Sequence, residues 1–229
     1  MNVHQPYPFL FIHGAGGTKH KWRTLTSLEN ESRFIDLPGH GENENSQCET
    51  IEEYAKQVAT EVKEDCIVVG HSMGGLIALE LAKIESKVKA VVLAASSYQL
   101  PVHPDIIATL AKGTFPEELF RASYAKNVRP GLLETEKQQL DMTPTEVAKK
   151  DFIACDRYSA GKEAIKTLEV PILAILGDAD RLIPKDTANV LQQINPNVKI
   201  ATLFECGHYV ALEKPDEFTH ALLEFRASL

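Results

Sequence analysis

The chain has 229 residues, enough for one compact domain and short for two. Hydrophobic residues make up 44% and charged residues 24%, which excludes a disordered chain, a collagen-like fibre and a low-complexity protein. Lysine and arginine total 24 against 32 aspartates and glutamates, a net charge of −8, which argues against a nucleic-acid binder and against docking on an anionic membrane surface.

The opening stretch MNVHQPYPFLFIHG has no basic start and no long apolar run, so it does not read as a signal peptide. No later stretch has the roughly 18 apolar residues of a spanning helix. Phe9 to Ile12 is a short apolar run ending at His13-Gly14. Arg33 to Asp36 follows, then the turn-rich Pro38-Gly39-His40-Gly41 and the acidic stretch Glu42 to Ser46. Thr50 to Glu64 opens with a Thr-x-x-Glu capping box and carries Ile51, Tyr54, Ala55, Val58 and Val62 at helical spacing. Cys66 to Val69 ends at Gly70, and Leu76 to Ile84 is an apolar helix that should be buried. Val88 to Ala94, Ile172 to Leu176 and Val198 to Phe204 are three more short runs. Lys185 to Ile194 and Asp216 to Phe225 are amphipathic helices. Short β-branched runs without strict alternation suit strands buried on both faces of a parallel sheet. Their alternation with helices predicts an α/β domain, with a mainly parallel, roughly six-stranded sheet and helices on both faces.

Between Ser97 and Leu168 no strand-like run occurs. Helical pieces fall around Pro104–Lys112, Pro116–Ala125, Leu132–Leu140 and Thr145–Cys155. This stretch is too long for a structureless loop and longer than a crossover needs. It predicts a helical cap at 98–168, inserted between a first core part at 1–97 and a second at 169–229. Cys48, Cys66, Cys155 and Cys206 are widely spaced, with no Cys-x-x-Cys pair and no zinc-type spacing. They read as reduced thiols of a cytoplasmic protein.

The strongest chemical signal is Gly70-His71-Ser72-Met73-Gly74-Gly75, a Gly-x-Ser-x-Gly between a strand and a buried helix. Glycines there relieve a sharp turn that exposes the Ser72 hydroxyl, and the Met73 N–H points where an oxyanion would form. A serine nucleophile needs a base. His208 follows the last strand, at the sheet edge where functional groups of open α/β sheets gather. An orienting carboxylate comes from Asp178 or Asp180, both in the loop after Leu176, and spacing does not separate them. The loop His13-Gly14-Ala15-Gly16-Gly17 can add the Ala15 N–H as a second oxyanion donor. Its glycines lack the spacing of a dinucleotide fingerprint and the pattern of a phosphate loop.

With these residues in place, the chain resembles the α/β-hydrolase superfamily, in particular its small, capped esterase, lactonase and C–C hydrolase members. The resemblance rests on His13 to Gly17, Asp36 to Gly41, Gly70 to Gly75, Gly177 to Pro184 and Gly207 to Pro215, in that order. It implies a triad of Ser72, Asp180 and His208, favouring Asp180 over Asp178, with Ala15 and Met73 as oxyanion donors. Trp22 falls where relatives often carry a tryptophan and reads as packing. Only twelve residues precede His13, so the antiparallel edge strands of larger relatives should be missing in part or whole.

The expected chemistry is that of a carboxylesterase acting on small to medium esters through an acyl-enzyme. A C–C bond hydrolase, a lyase of the menaquinone-pathway type and a non-catalytic ligand receptor would use the same scaffold. Phe115, Leu119, Phe120 and Tyr124 in the cap are the expected substrate-binding residues. Arg121, Arg129 and Arg157 could meet a substrate carboxylate, but each reads better as a surface residue. The partners expected are a small-molecule ester and water. No motif implies a metal or an organic cofactor.

Overall fold

A computed structural model describes residues 7–141 and 143–229, so the first six residues of the leader reading lie outside the described part. The strands are β1 (Phe9–Ile12), β2 (Ser32–Ile35), β3 (Cys66–His71), β4 (Val88–Ala94), β5 (Ile172–Gly177) and β6 (Lys199–Leu203). They form one sheet in the order β2-β1-β3-β4-β5-β6, and every pairing is parallel. Among the described residues no antiparallel edge strand precedes β1.

Side chains alternate across the sheet with period two. Leu10 and Ile12 of β1, Val68 of β3, Val91 and Leu93 of β4 and Ala174 of β5 enter one core. Phe9 and Phe11, Ile67 and Val69, Val92, and Leu173 and Ile175 enter the other. The first core is closed by α1 (Ile51–Ala59) and α2 (Met73–Ile84). The second is closed by α10 (Pro215–Ala227), through Phe218, Leu222 and Phe225, and by Trp22, Leu25 and Leu28 from two 3-10 turns. Trp22 packs against Phe11 and Phe218, with ring centroids 4.9 and 6.1 Å away. Helix α1 is shorter than its apolar spacing predicts. After Ala59 the backbone tightens to i→i+3 bonds, from Thr60, Glu61 and Val62 to Gln57, Val58 and Ala59, which still bury Val62.

Among the described residues, five helices lie between β4 and β5: α3 (Pro104–Leu110), α4 (Glu117–Ala122), α5 (Leu132–Asp141), α6 (Thr145–Arg157) and α7 (Gly161–Thr167). Helix α7 packs on α2 and on α8 (Thr187–Ile194), within the layer that covers the sheet. The short α9 (Val210–Glu213) leads into α10. No described helix is long and apolar enough to cross a membrane. All four cysteines are free and buried.

The chain runs from β1 outward to β2, then returns to place β3 on the other side of β1. The crevice at such a reversal, outside the carboxyl ends of the strands, is the usual ligand site of open α/β sheets. Here that crevice requires α2 to start hard against β1. A Cβ on Gly74 would lie 2.4 Å from the carbonyl oxygen of Ile12, and one on Gly70 would lie 2.1 Å from that of Gly74. Gly70→Ala should therefore fail to accumulate as folded protein. Gly113→Ala meets no atom within 4 Å but sits at φ +79°, so it should lose only about 1–2 kcal/mol in urea unfolding.

Candidate active site

Ser72 is the residue between β3 and α2, with φ 51° and ψ −117°. That backbone is strained for any side chain, and it is held from several directions. The Ser72 N–H donates to Ala94 at 3.0 Å. Its carbonyl accepts from Gly75 N–H at 2.9 Å and from the Ser96 hydroxyl at 2.7 Å. Met73 opens α2, its side chain fully buried in the first core.

His208 lies in the loop after β6. Its Nδ1 meets Asp180 Oδ2 at 2.9 Å, with both side chains buried. Asp180 Oδ1 accepts the N–H groups of Leu182 and Ile183 at 2.8 and 3.2 Å. Burial opposes ionisation of Asp180. The charge and hydrogen bond of His208, with the two backbone donors, outweigh it and hold the carboxyl below its usual range. Asp178 points elsewhere: it is exposed and accepts from Cys206 N–H at 3.4 Å. The structure thus separates two carboxylates that spacing leaves equivalent. The backbone of His208 is fixed as well, donating to Ser123 at 2.9 Å and accepting from His71 Nε2 at 3.0 Å.

Ser72, His208 and Ala15 open on one cavity of about 280 Å³. Phe115 and Leu119 line it, as do Leu100, Val102, Ile106 and Phe152. Phe120 and Tyr124 do not reach it. They pack with Leu132 and Leu212 in a separate apolar cluster, with the Tyr124 hydroxyl turned onto Glu136 at 3.0 Å. Helix α4 has apolar residues on more than one face, and one face serves this packing. Arg121 pairs with Glu117 at the surface, and Arg129 and Arg157 are exposed.

The glycine loop after β1 is tied to the helical excursion by a buried carboxylate. Asp151, on α6, accepts Gly16 N–H at 2.8 Å, the Tyr54 hydroxyl at 2.8 Å and Gln47 Nε2 at 3.0 Å. His40 Nε2 also lies 2.8 Å from it, while His40 Nδ1 faces the Pro38 carbonyl at 3.0 Å. Both ring nitrogens of His40 face acceptors, so the ring is an imidazolium. Burial opposes that charge, but Asp151 outweighs burial and raises the His40 pKa. His13 is the opposite case. Its Nδ1 donates to the Gly14 carbonyl and its Nε2 accepts from Leu37 N–H, the neutral tautomer. Burial, then the charge of His40, brings its pKa down to about 4. Asp36 closes the loop from below, accepting Lys19 N–H at 2.7 Å and Glu42 N–H at 3.1 Å. Asn43 and the Lys19–Glu42 pair complete that turn, so the acidic stretch after Gly41 is a hydrogen-bonded surface loop.

A parallel sheet with helices on both faces, carrying an acid–histidine pair and a serine on a strained turn at its carboxyl edge, defines the class of an α/β-hydrolase. The chain belongs to the Alpha/beta hydrolase family, whose model matches residues 9–221. It is 28% identical to a pimeloyl-[acyl-carrier protein] methyl ester esterase of Cronobacter sakazakii over 96% of this chain and 93% of that one. It is 23% identical to a biotin biosynthesis bifunctional protein of Teredinibacter turnerae, spanning 94% of this chain but only 44% of that protein. Among solved structures it resembles a thermophilic esterase (TM-score 0.83, 26% identity, covering 98% and 91% of the two chains). A lipase-esterase related protein of Clostridium acetobutylicum shares the fold (TM-score 0.85, 22% identity, covering 98% and 96%).

Asp151→Ala strips a buried imidazolium, a phenol and two further donors of their acceptor. Such a loss typically destabilises by about 3–5 kcal/mol. The His40–Asp151 contribution is complete below the unfolded histidine pKa and is lost as pH rises through the raised folded value. Urea unfolding of wild type and Asp151→Ala should therefore show the widest gap at mildly acid pH, narrowing as pH rises through the raised His40 value.

Proposed function

We propose that this chain is a serine hydrolase that cleaves carboxylic esters through an acyl-enzyme. The observation that carries the reading is Ser72 on its strained turn, opening on the same cavity as a histidine held by buried Asp180. His208 takes the Ser72 proton as the hydroxyl oxygen attacks the ester carbonyl. The N–H groups of Ala15 and Met73 receive the oxyanion, as the matching residues do in the family pattern. His208 protonates the departing alcohol, then activates the water that releases the acid. Asp180 fixes the His208 tautomer and stabilises the imidazolium. The esterase names of the relatives support an ester rather than another acyl donor.

In this reading the helices of segment 98–168 form a cap that selects the substrate. The apolar residues Ile106, Phe115, Leu119 and Phe152 suit a small to medium acyl chain. The reaction needs water and no cofactor.

Ser72→Ala and His208→Ala should each lower kcat on a short p-nitrophenyl ester by about four to six orders of magnitude, without additivity in the double variant. Asp180→Asn should lower it by about 10⁴-fold, while Asp178→Asn stays near wild type. A severe loss confined to Asp178→Asn would overturn the acid assignment. Turnover of a β-diketone in place of every ester tested would overturn the ester reading.

A further inference from the structure

The charges around the cavity do not match the charge of the chain. The protein carries −8 overall, yet the cavity is lined by Lys21 and Arg181, and among the described residues no aspartate or glutamate lines it. Lys21 comes from the 3-10 turn just after the glycine loop, and its ammonium lies 4.6 Å from the centre of the Tyr209 ring. Glu136 of α5 pairs with it from the excursion side. That carboxylate is fully buried and is shared with Arg23 Nη2 at 2.8 Å and the Tyr124 hydroxyl at 3.0 Å. Two cations against one carboxylate leave the cluster one positive charge in excess. Glu136 claims only one of the three ammonium protons of Lys21.

Arg181 directly follows Asp180. Arg181 is exposed at the rim of the cavity, and its Nη2 donates to the carbonyls of Arg121 and Tyr124, which fixes the side chain there. Both cations are thus anchored to one residue, Tyr124: Lys21 through the shared Glu136 and Arg181 through the backbone carbonyl. Two acids beside the cavity are engaged elsewhere, and Glu205 shares only a neighbouring surface pocket with Arg181. Asp180 is bound to His208, and Glu213 accepts the N–H groups of Ala125, Gly207 and Tyr209. Much of the remaining wall is apolar, from Val102, Ile106, Phe115 and Leu119, with Gln99, His103 and Ser123 as polar groups among them. A cavity with an apolar wall and a cationic edge fits a chain that is apolar between its ester and a terminal negative charge.

We propose that the preferred substrate is an ester carrying a carboxylate, seated against Lys21 and Arg181 while its ester carbonyl meets Ser72. This rests on the esterase reading above. The half-buried, partly desolvated setting of Lys21 makes its attraction for an anion stronger than that of a surface lysine.

The test compares monomethyl esters of α,ω-dicarboxylic acids with the dimethyl esters of the same chain lengths, by acid release. The wild type should favour the half-ester by roughly ten- to a hundredfold in kcat/KM, the range of one hydrogen bond to a charged group. The preference should reside mainly in KM and shrink as salt rises. Lys21→Gln and Arg181→Gln should each reduce the ratio, and Lys21→Arg should keep it. The ratio is read within each variant, so a general loss of activity cancels. Equal turnover of both esters by wild type, abolished by Ser72→Ala, would overturn the carboxylate proposal and leave the esterase standing. A preference that survives both glutamine variants would also overturn it. Failure to cleave either ester, with no labelling of Ser72 by a fluorophosphonate, would remove the esterase reading and this proposal with it.

Discussion

The approach of α2 to the end of β1 is the constraint on which the site depends. Ser72 reaches the crevice only because the chain reverses direction within two residues of Gly70, and that reversal leaves no room for side chains at Gly70 and Gly74. Two hydrogen bonds onto the Ser72 carbonyl and one from its N–H then hold the positive φ. Strain of this kind persists only where the surroundings over-determine it. Here they are the parallel pairing of β3 with β1 and β4 and the buried face of α2. The sheet order puts β1 and β3 side by side, so the glycine loop and the serine turn meet without any further device.

The second dependence runs through Asp151. Its carboxylate gathers donors from the glycine loop, the loop after β2, α1 and the turn before it. The His40 imidazolium supplies the countercharge that lets it remain buried, and neutral His13 packs at a tilt beside that imidazolium, with 5.0 Å between centroids. Two adjacent histidines in opposite protonation states follow from their partners: His40 faces two oxygens, His13 one oxygen and one N–H. The consequence is mechanical. Gly16 follows Ala15, so the segment proposed to receive the oxyanion is held by a residue of the excursion, and a shift of α6 would reach Ala15 through one hydrogen bond.

Much of this was legible in the sequence because steric necessity writes itself in residue types. Glycines flanking a serine after a β-branched run have few other uses, and short runs such as Cys66 to Val69 and Ile172 to Leu176 announce buried strands. What was illegible has a common cause. A carboxylate on a helix looks the same whether it faces water or a buried cluster, so Asp151 and Glu136 gave no signal and only tertiary contacts reveal them. The same holds for apolar residues of the excursion: Leu119 and Phe120 are neighbours of equal character, yet one lines the cavity and the other packs under α5. Asp178 and Asp180 are alike in spacing and differ only in which is turned toward His208.

Net charge proved a poor guide to the cavity for a related reason. Surface carboxylates set the total, while the cavity is governed by the few charges that line it and by what neutralises them. Glu136 shows how the two scales separate. The carboxylate adds one negative charge to the total, yet from its buried position it holds Lys21 at the cavity without cancelling the local excess, because Arg23 shares it. Burial would drive a lone Glu136 toward its neutral form. The two cations and the Tyr124 hydroxyl outweigh that and keep its pKa lowered. The acid is therefore part of what keeps the cationic edge in place: without it, two desolvated positive charges would repel each other and swing toward solvent. An acidic chain can thus present a cationic cavity, and a buried acid is the means by which it does so.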